Sequence, residues 1–420
     1  MSVKSILFIS GTSANDALGA AGRAHQALYE SLGYRFVEIN FASREANDLL
    51  NRTLQEGTIE LAYSAMGMGA DIRVSRTDGT EGNLWETLGV PYLSLKVDSP
   101  AYYFDRHVMR SPWHAALYLY PEHLEFRKRL PLTPALYGLV PTVPFDSVNP
   151  RDVDFGAKAG GKLLFLKNGN DPEKLVQAWR VAMPPASFEL LTELAAELAG
   201  AIATEPGCDI DRSVTALFRS RGWDLSECLN LRLFFVAQLD DYLRRIKSVL
   251  IADAIADFPV VIQGLNWEHF DFSGRRATYV KGGDYTRTRQ QIIEALGVID
   301  MSPNTQLAPH DRPMRALGLY TLCLTNKQRF FDEQFPDADR FTFRFDRDEL
   351  QAMVSDVLAH PARYVELGRA AGEHFQRNRR WEDYAQFMLD TAGHVRMMCG
   401  PRPSGLQDYF VWPPAFRGGA

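Results

Sequence analysis

The sequence predicts an α/β protein of two Rossmann-like, doubly wound domains, on three observations. Short apolar runs of strand length alternate with segments of helical period, the alternation breaks once in a proline-crowded stretch, and it then restarts. The length of 420 residues also exceeds one ordinary core, since domains cluster near about 100–150 residues.

The elements follow in order. Ser5 to Ser10 is an apolar run ending at Gly11-Thr12-Ser13, and helical spacing from Gly19 to Leu32 stops at Gly33, a residue suited to a left-handed cap. Phe36 to Ile39 supplies a second strand, Leu61 to Ser64 a third and Tyr92 to Leu95 a fourth, the last after a helix-like Asn83 to Leu88. Leu117 to Tyr120 and Ala135 to Leu139 extend the same sheet. Units of this length connect parallel strands by crossovers, so helices cover both faces. Pro141, Pro144 and Pro150 then crowd together, and the first domain is assigned to residues 1–150.

The second domain is assigned to residues 160–390. It opens with the strand Lys162 to Leu166 and a turn, Lys167-Asn168-Gly169-Asn170-Asp171-Pro172, that leads into a helix. Residues 172–250 are almost wholly helical in period and read as an insertion. Strands return at Val260 to Gln263, Thr278 to Val280, Val298 to Asp300 and Thr321 to Leu324, with helices from Gln290 to Leu296, Arg347 to Ala359 and Pro361 to Leu389. The tail, 391–420, is expected to return to the first domain.

Composition narrows the function. Hydrophobic residues at 46% and charged residues at 23% describe a globular chain, and a net charge of -6 lacks the basic excess of a general nucleic-acid binder. Cys208, Cys228, Cys323 and Cys399 show neither disulfide-framework nor zinc spacing, which fits reduced thiols in a cytoplasm. The sequence contains no signal-like leader and no apolar stretch of about 18 residues, so a cytoplasmic protein without a transmembrane segment is expected.

Asp300-Met301-Ser302-Pro303-Asn304 ends one strand, a helix carrying Arg312 and Arg315 follows, and Cys323-Leu324-Thr325-Asn326-Lys327 ends the next strand. Open α/β sheets bind ligands beyond the carboxyl ends of their strands, where a helix N-terminus offers free N–H groups to a phosphate. In order, Ser302-Pro303-Asn304, Arg312-Pro313-Met314-Arg315-Ala316-Leu317, Leu322 to Asn326, Phe331 to Phe335, Phe343 to Asp346, His374 and Trp381 resemble the C-terminal domain of GT-B glycosyltransferases, closest to the CgeB-like group associated with spore maturation. The resemblance spans 298–389, about a quarter of the chain. It implies two Rossmann-like domains facing across a cleft, and transfer of a sugar from a nucleoside-diphosphate donor to a protein, glycan or small-molecule acceptor. No nucleic acid, metal or other cofactor is expected.

The resemblance assigns the leaving diphosphate to Arg312, Arg315, Lys327 and Lys281, with Asn304, Thr325 and Asn326 on the same rim. Asn168 and Gly169 after the first strand of this domain, and Gly264 and Asn266 after the next, are further donor candidates. Gly11, Thr12 and Ser13 form an acceptor loop in the first domain, and Asp98 or His107 is the candidate base for the acceptor hydroxyl. One departure concerns Arg315: related enzymes place there a glutamate that holds the donor ribose, and a guanidinium accepts no hydrogen bond. The ribose then falls to Asp332 or Glu333, or the donor differs. Several Asp-x-Asp triplets occur; the one at Asp346 opens a helix, where capping accounts for it. An epimerase of the same fold and a catalytically silent protein of a glycosylation system are the alternatives.

Overall fold

Six short strands from the first part of the chain pair in parallel, and the inner four are buried along most of their length, as α/β strands are. The computed structural model describes residues 3–12, 17–56, 58–76, 80–109, 111–132, 136–144, 146–204, 207–400 and 409–411. In chain order the first unit has β1 (Ser5–Ser10), α1 (Ala17–Ser31), β2 (Arg35–Asn40), α2 (Ala46–Glu56), β3 (Ile59–Ala65), β4 (Arg73–Arg76), β5 (Glu81–Asn83), α3 (Leu84–Leu88), β6 (Tyr92–Lys96), β7 (His114–Tyr118), α4 (Pro121–Lys128) and β8 (Tyr137–Leu139). Its main sheet runs β2-β1-β3-β6-β7-β8. The order reverses between β1 and β3. Leu7, Ile9, Ala62 and Tyr92 carry one face of this sheet into a core closed by Leu50, Leu54 and Trp85.

The second unit contains α5 (Phe155–Lys158), β9 (Leu163–Leu166), α6 (Pro172–Ala182), α7 (Pro185–Gly200), α8 (Ile210–Ser220), α9 (Leu229–Ile255), β10 (Val261–Gly264), β11 (Thr278–Lys281), α10 (Tyr285–Glu294), β12 (Gly297–Ile299), α11 (Asp311–Gly318), β13 (Leu322–Asn326), α12 (Arg329–Gln334), β14 (Thr342–Phe343), α13 (Arg347–Ala359) and α14 (Pro361–Asn378). The parallel order is β11-β10-β9-β12-β13-β14, with the reversal between β9 and β12. Four helices, α6 to α9, intervene between β9 and β10. The last has 27 residues, about 40 Å of helix, so it packs on α6, α7 and α8 and still reaches α13.

Two expected boundaries move. The units divide at Pro141/Thr142, not at residue 150, and the return to the first unit begins at Trp381, not at 391. Side-chain chemistry explains both shifts. Asp146 binds Arg289 at 2.9 Å and Arg315 at 3.4 Å, and a Cβ on Gly318 would lie 1.8 Å from the Asp146 carbonyl, so 142–150 is built into the second unit. The last helix, α15 (Trp381–Cys399), sets Trp381 and Tyr384 against the buried His25 ring and ties Arg396 to Glu60 at 2.6 Å. A short strand, β15 (Tyr409–Val411), then pairs antiparallel with β4.

Candidate functional site

In the second unit the loops that leave β9 and β12 diverge at the reversal of strand order, the position at which open α/β sheets leave room for a ligand. Lys167 is the first residue after β9, Asp300 the first after β12, and α11 begins at Asp311 after the 301–310 loop. Arg312, one residue into α11, donates from Nε to Asp300 Oδ1 at 2.6 Å. Its Nη2 and the second oxygen of Asp300 are buried without a hydrogen-bond partner. Burial opposes the Arg312 charge, but Asp300 and Asp311 more than offset it and keep the guanidinium firmly ionised.

Lys167 completes the cluster. Among the described residues no hydrogen bond or ion pair holds its ammonium group. Burial first, and the neighbouring Arg312 second, bring it down to about 7, against the opposing pull of Asp300. Asp311 shows the converse: His310, Arg312 and Lys167 outweigh burial and hold its carboxyl far below the usual range. His310 stands at the cap of α11, where its side chain pairs with the Asp311 carboxylate and makes no capping bond to a backbone N–H. The result is one buried donor and one half-neutral lysine with no assigned partner, beside a helix N-terminus. Such an arrangement suits an oxyanion.

The predicted loop residues support this cluster from behind. Asn168 Oδ1 accepts from the Leu265 N–H at 2.9 Å, the Gly169 N–H reaches the Leu265 carbonyl at 2.9 Å, and Asn266, at φ 64°, donates to Asn170 at 2.7 Å. Trp267 Nε1 donates to the Lys167 carbonyl at 2.7 Å. A Cβ on Gly169 would meet the Trp267 ring at 1.9 Å, and one on Gly264 the Lys167 carbonyl at 2.1 Å. These four predicted residues are therefore brought together, and they brace the backbone of Lys167. Thr325 and Asn326 are buried; Asn326 Oδ1 accepts from the Ser302 N–H at 2.7 Å and fastens the segment after β12 to β13. Asn304 is held by α9: its Oδ1 accepts from Lys247 at 2.7 Å and its Nδ2 donates to Asp240 at 2.7 Å.

Three predicted phosphate ligands are placed otherwise. Arg315 is 5% exposed, donates to Thr288 Oγ1 and the Tyr285 carbonyl, pairs with Asp146, and lies 3.7 Å from the Tyr285 ring centroid. A guanidinium so occupied fastens α11 to α10 and to Asp146, and it has no face left for a phosphate. Lys327 pairs with Asp339 at 2.8 Å and Lys281 with Glu268 at 3.1 Å, both at the surface. The alternative ribose acceptors Asp332 and Glu333 are exposed on α12, where Glu333 takes Arg329. Asp346 caps α13, accepting from the Glu349 N–H at 2.9 Å.

In the first unit, Gly11 and Thr12 follow β1 at that sheet's reversal, and a Cβ on Gly11 would meet Met68 Sδ at 2.9 Å. Ser13 lies outside the described residues. Asp98 is half-buried beyond β6. His107 is fully buried, with Nδ1 3.1 Å from the Tyr118 hydroxyl, and burial and then Lys96 push it down to about 2. An imidazole without solvent access and with so little basicity does not serve as an acceptor base, which corrects that expectation. Sequence reasoning passed over Lys167, the residue next to predicted Asn168; its signal was a lysine directly at the end of a buried strand. Among the described residues no His, Cys, Asp and Glu grouping suits a metal ion, and no helix is long and apolar enough to cross a membrane.

Residues 244–390 match the family described as glycosyl transferase-like. Among solved structures, the chain is similar to an alpha-glucosyltransferase in complex with UDP and a 13-mer DNA containing an HMU base, at 6% identity, TM-score 0.52, covering 93% of this chain and 99% of that one. It is also similar to an alpha-glucosyltransferase in complex with UDP, at 6% identity, TM-score 0.50, covering 93% of this chain and 100% of that one. No curated protein sequence matches it. The fold is thus the two-sheet GT-B fold of glycosyltransferases.

Proposed function

We propose that the chain is a glycosyltransferase whose second unit holds a nucleoside-diphosphate sugar by its phosphates at Lys167 and Arg312. The observation that carries this reading is the Arg312 Nη2, buried beside the Lys167 ammonium at the reversal of strand order, both without a partner among the described residues. The match of 244–390 to the glycosyl transferase-like family supports it, because that segment includes Arg312 and its whole loop. UDP is the first nucleotide to test, since both solved structures above hold it.

In the reaction the bond between the anomeric carbon and the β-phosphate oxygen breaks, and the leaving diphosphate keeps the electron pair. The acceptor oxygen bonds to the anomeric carbon and its proton passes to a base. Lys167, Arg312 and the N-terminal dipole of α11 neutralise the leaving charge, the role a metal ion fills elsewhere. Asp98 is the base we assign, as the half-exposed carboxylate beyond β6. A net charge of -6 favours a glycan, protein or small-molecule acceptor over a nucleic acid.

The test is turnover of UDP-, GDP-, TDP- and CMP-linked sugars with and without mixed acceptors. Release of nucleotide that increases with acceptor supports transfer. Recovery of an isomerised donor without acceptor would make the protein an epimerase, and binding with no turnover would make it a silent binding protein. Asp98→Asn is expected to lower kcat about 10²–10⁴-fold with unchanged UDP affinity.

A further inference from the structure

The helices between β9 and β10 do more than add mass to the second unit. Along α9, Asp240, Arg244, Lys247 and Ser248 fall on one face, at the spacing i, i+4, i+7 and i+8. That face meets the 301–310 loop. Asn304 is gripped from both sides: Lys247 Nζ donates to its Oδ1 at 2.7 Å, and its Nδ2 donates to Asp240 Oδ1 at 2.7 Å and to the Asp240 carbonyl at 3.3 Å. Arg244 pairs with Asp240 at 2.8 Å, and Ser248 Oγ donates to Met301 Sδ at 3.3 Å. Lys247 itself is 1% exposed and sits 5.1 Å from the Phe345 ring centroid.

A buried ammonium is unfavourable unless a specific contact holds it there. Hydrophobic contacts alone would hold α9 against α6, α7, α8 and α13. A lysine aimed at the amide of one loop residue is a stronger constraint, because it fixes that loop in position as well as in depth. The loop has a second anchor on the opposite side, where Asn326 accepts from the Ser302 N–H. Between them the two anchors span 302–304, eight residues before Arg312, and the segment from there on carries His310, Asp311 and Arg312.

We infer that Lys247 is a positioning residue for the phosphate site: through Asn304 it sets the 301–310 loop, and so places Arg312 for the leaving diphosphate. The helical segment 172–255 is by this account part of the donor site's framework. The inference rests on the donor site proposed above.

The experiment uses the full chain and UDP as the probe. Calorimetric Kd values are measured for the natural protein, Lys247→Met, Lys247→Arg, Arg312→Lys and the double variant Lys247→Met/Arg312→Lys, with circular dichroism on each. Lys247→Met is expected to weaken UDP about tenfold, Lys247→Arg to recover most of that, and the double variant to bind no more weakly than Arg312→Lys alone, since the two residues act through one contact. Additive losses in the double variant, or equal affinity of Lys247→Met and the natural protein, would overturn the positioning role while leaving the donor site intact. Should Lys247→Met fail to fold, Asn304→Ala takes its place in the same cycle. Absence of UDP binding by the natural protein is a failure of the donor reading itself.

Discussion

Each unit carries a lysine at the carboxyl end of a parallel strand, and both are brought down to about 7, yet their surroundings differ. Lys96, at the end of β6, is wholly buried and donates to the Arg106 carbonyl; burial, then Arg106 and Arg127, lower it. Its neighbour Arg127 is likewise consumed, giving its guanidinium to the carbonyls of His107, Leu130, Pro131 and Leu132. Among the described residues Lys167, after β9, has no such acceptor, and Arg312 beside it keeps a buried Nη2 unpaired. A depressed lysine is therefore not in itself a sign of a site. What distinguishes the second unit is donors whose partner the described residues do not supply.

The largest effect expected is on stability. Arg312→Ala leaves the Asp300 carboxylate buried and alone, and is expected to cost about 3–5 kcal/mol, read as a shift in the denaturant midpoint. A midpoint within experimental error of the natural protein would show that the pair is not desolvated as described. Arg315→Ala removes the fastening of α11 to Asp146 and α10 and is expected to cost about 2–3 kcal/mol, with UDP affinity within about twofold of natural once folded. A selective loss of affinity there would restore Arg315 to the phosphate site.

The pH dependence is smaller and has a definite sign. Lys167 is charged below about 7 and neutral above it, so UDP affinity is expected to be highest at the acid end and to fall as pH rises, by up to about tenfold per unit. Lys167→Met flattens that slope. The smallest change is at the surface: Lys281→Ala breaks only an exposed pair with Glu268 and is expected to leave the denaturant midpoint and the UDP affinity within experimental error of the natural protein.

Much of the fold was legible because strand and helix periods differ and because prolines mark the joint. Runs such as Ser5 to Ser10 are buried on every residue, and such runs survive without tertiary information. The boundaries moved where long-range ion pairs decide them: nothing near Asp146 in sequence announces Arg289 and Arg315. The candidate site was legible as a place more than as a set of side chains. Strand ends expected at 166, 263, 300 and 324 pointed to the edge where the Lys167 and Arg312 cluster lies, but a list of polar residues there does not say which are already satisfied. Asn168, Asn266 and Asn326 bond neighbouring loops, Asn304 bonds α9, and Arg315 is taken by Tyr285, Thr288 and Asp146. His107 reads in the sequence as a candidate acceptor base, whereas the first unit closes over it. Lys247 could not be seen at all, since Asn304 is 57 positions away.

The two lysines also supply the most direct measurement of the central claim. UDP is titrated calorimetrically into the natural protein, Lys167→Met and Lys96→Met at pH 6.5–7.5, roughly where the charged form of a lysine near 7 is still populated. The account predicts about a 10- to 100-fold loss of affinity for Lys167→Met and a change within about twofold for Lys96→Met. Equal affinities for all three, or a loss confined to Lys96→Met, would contradict a diphosphate site at the junction of β9 and β12.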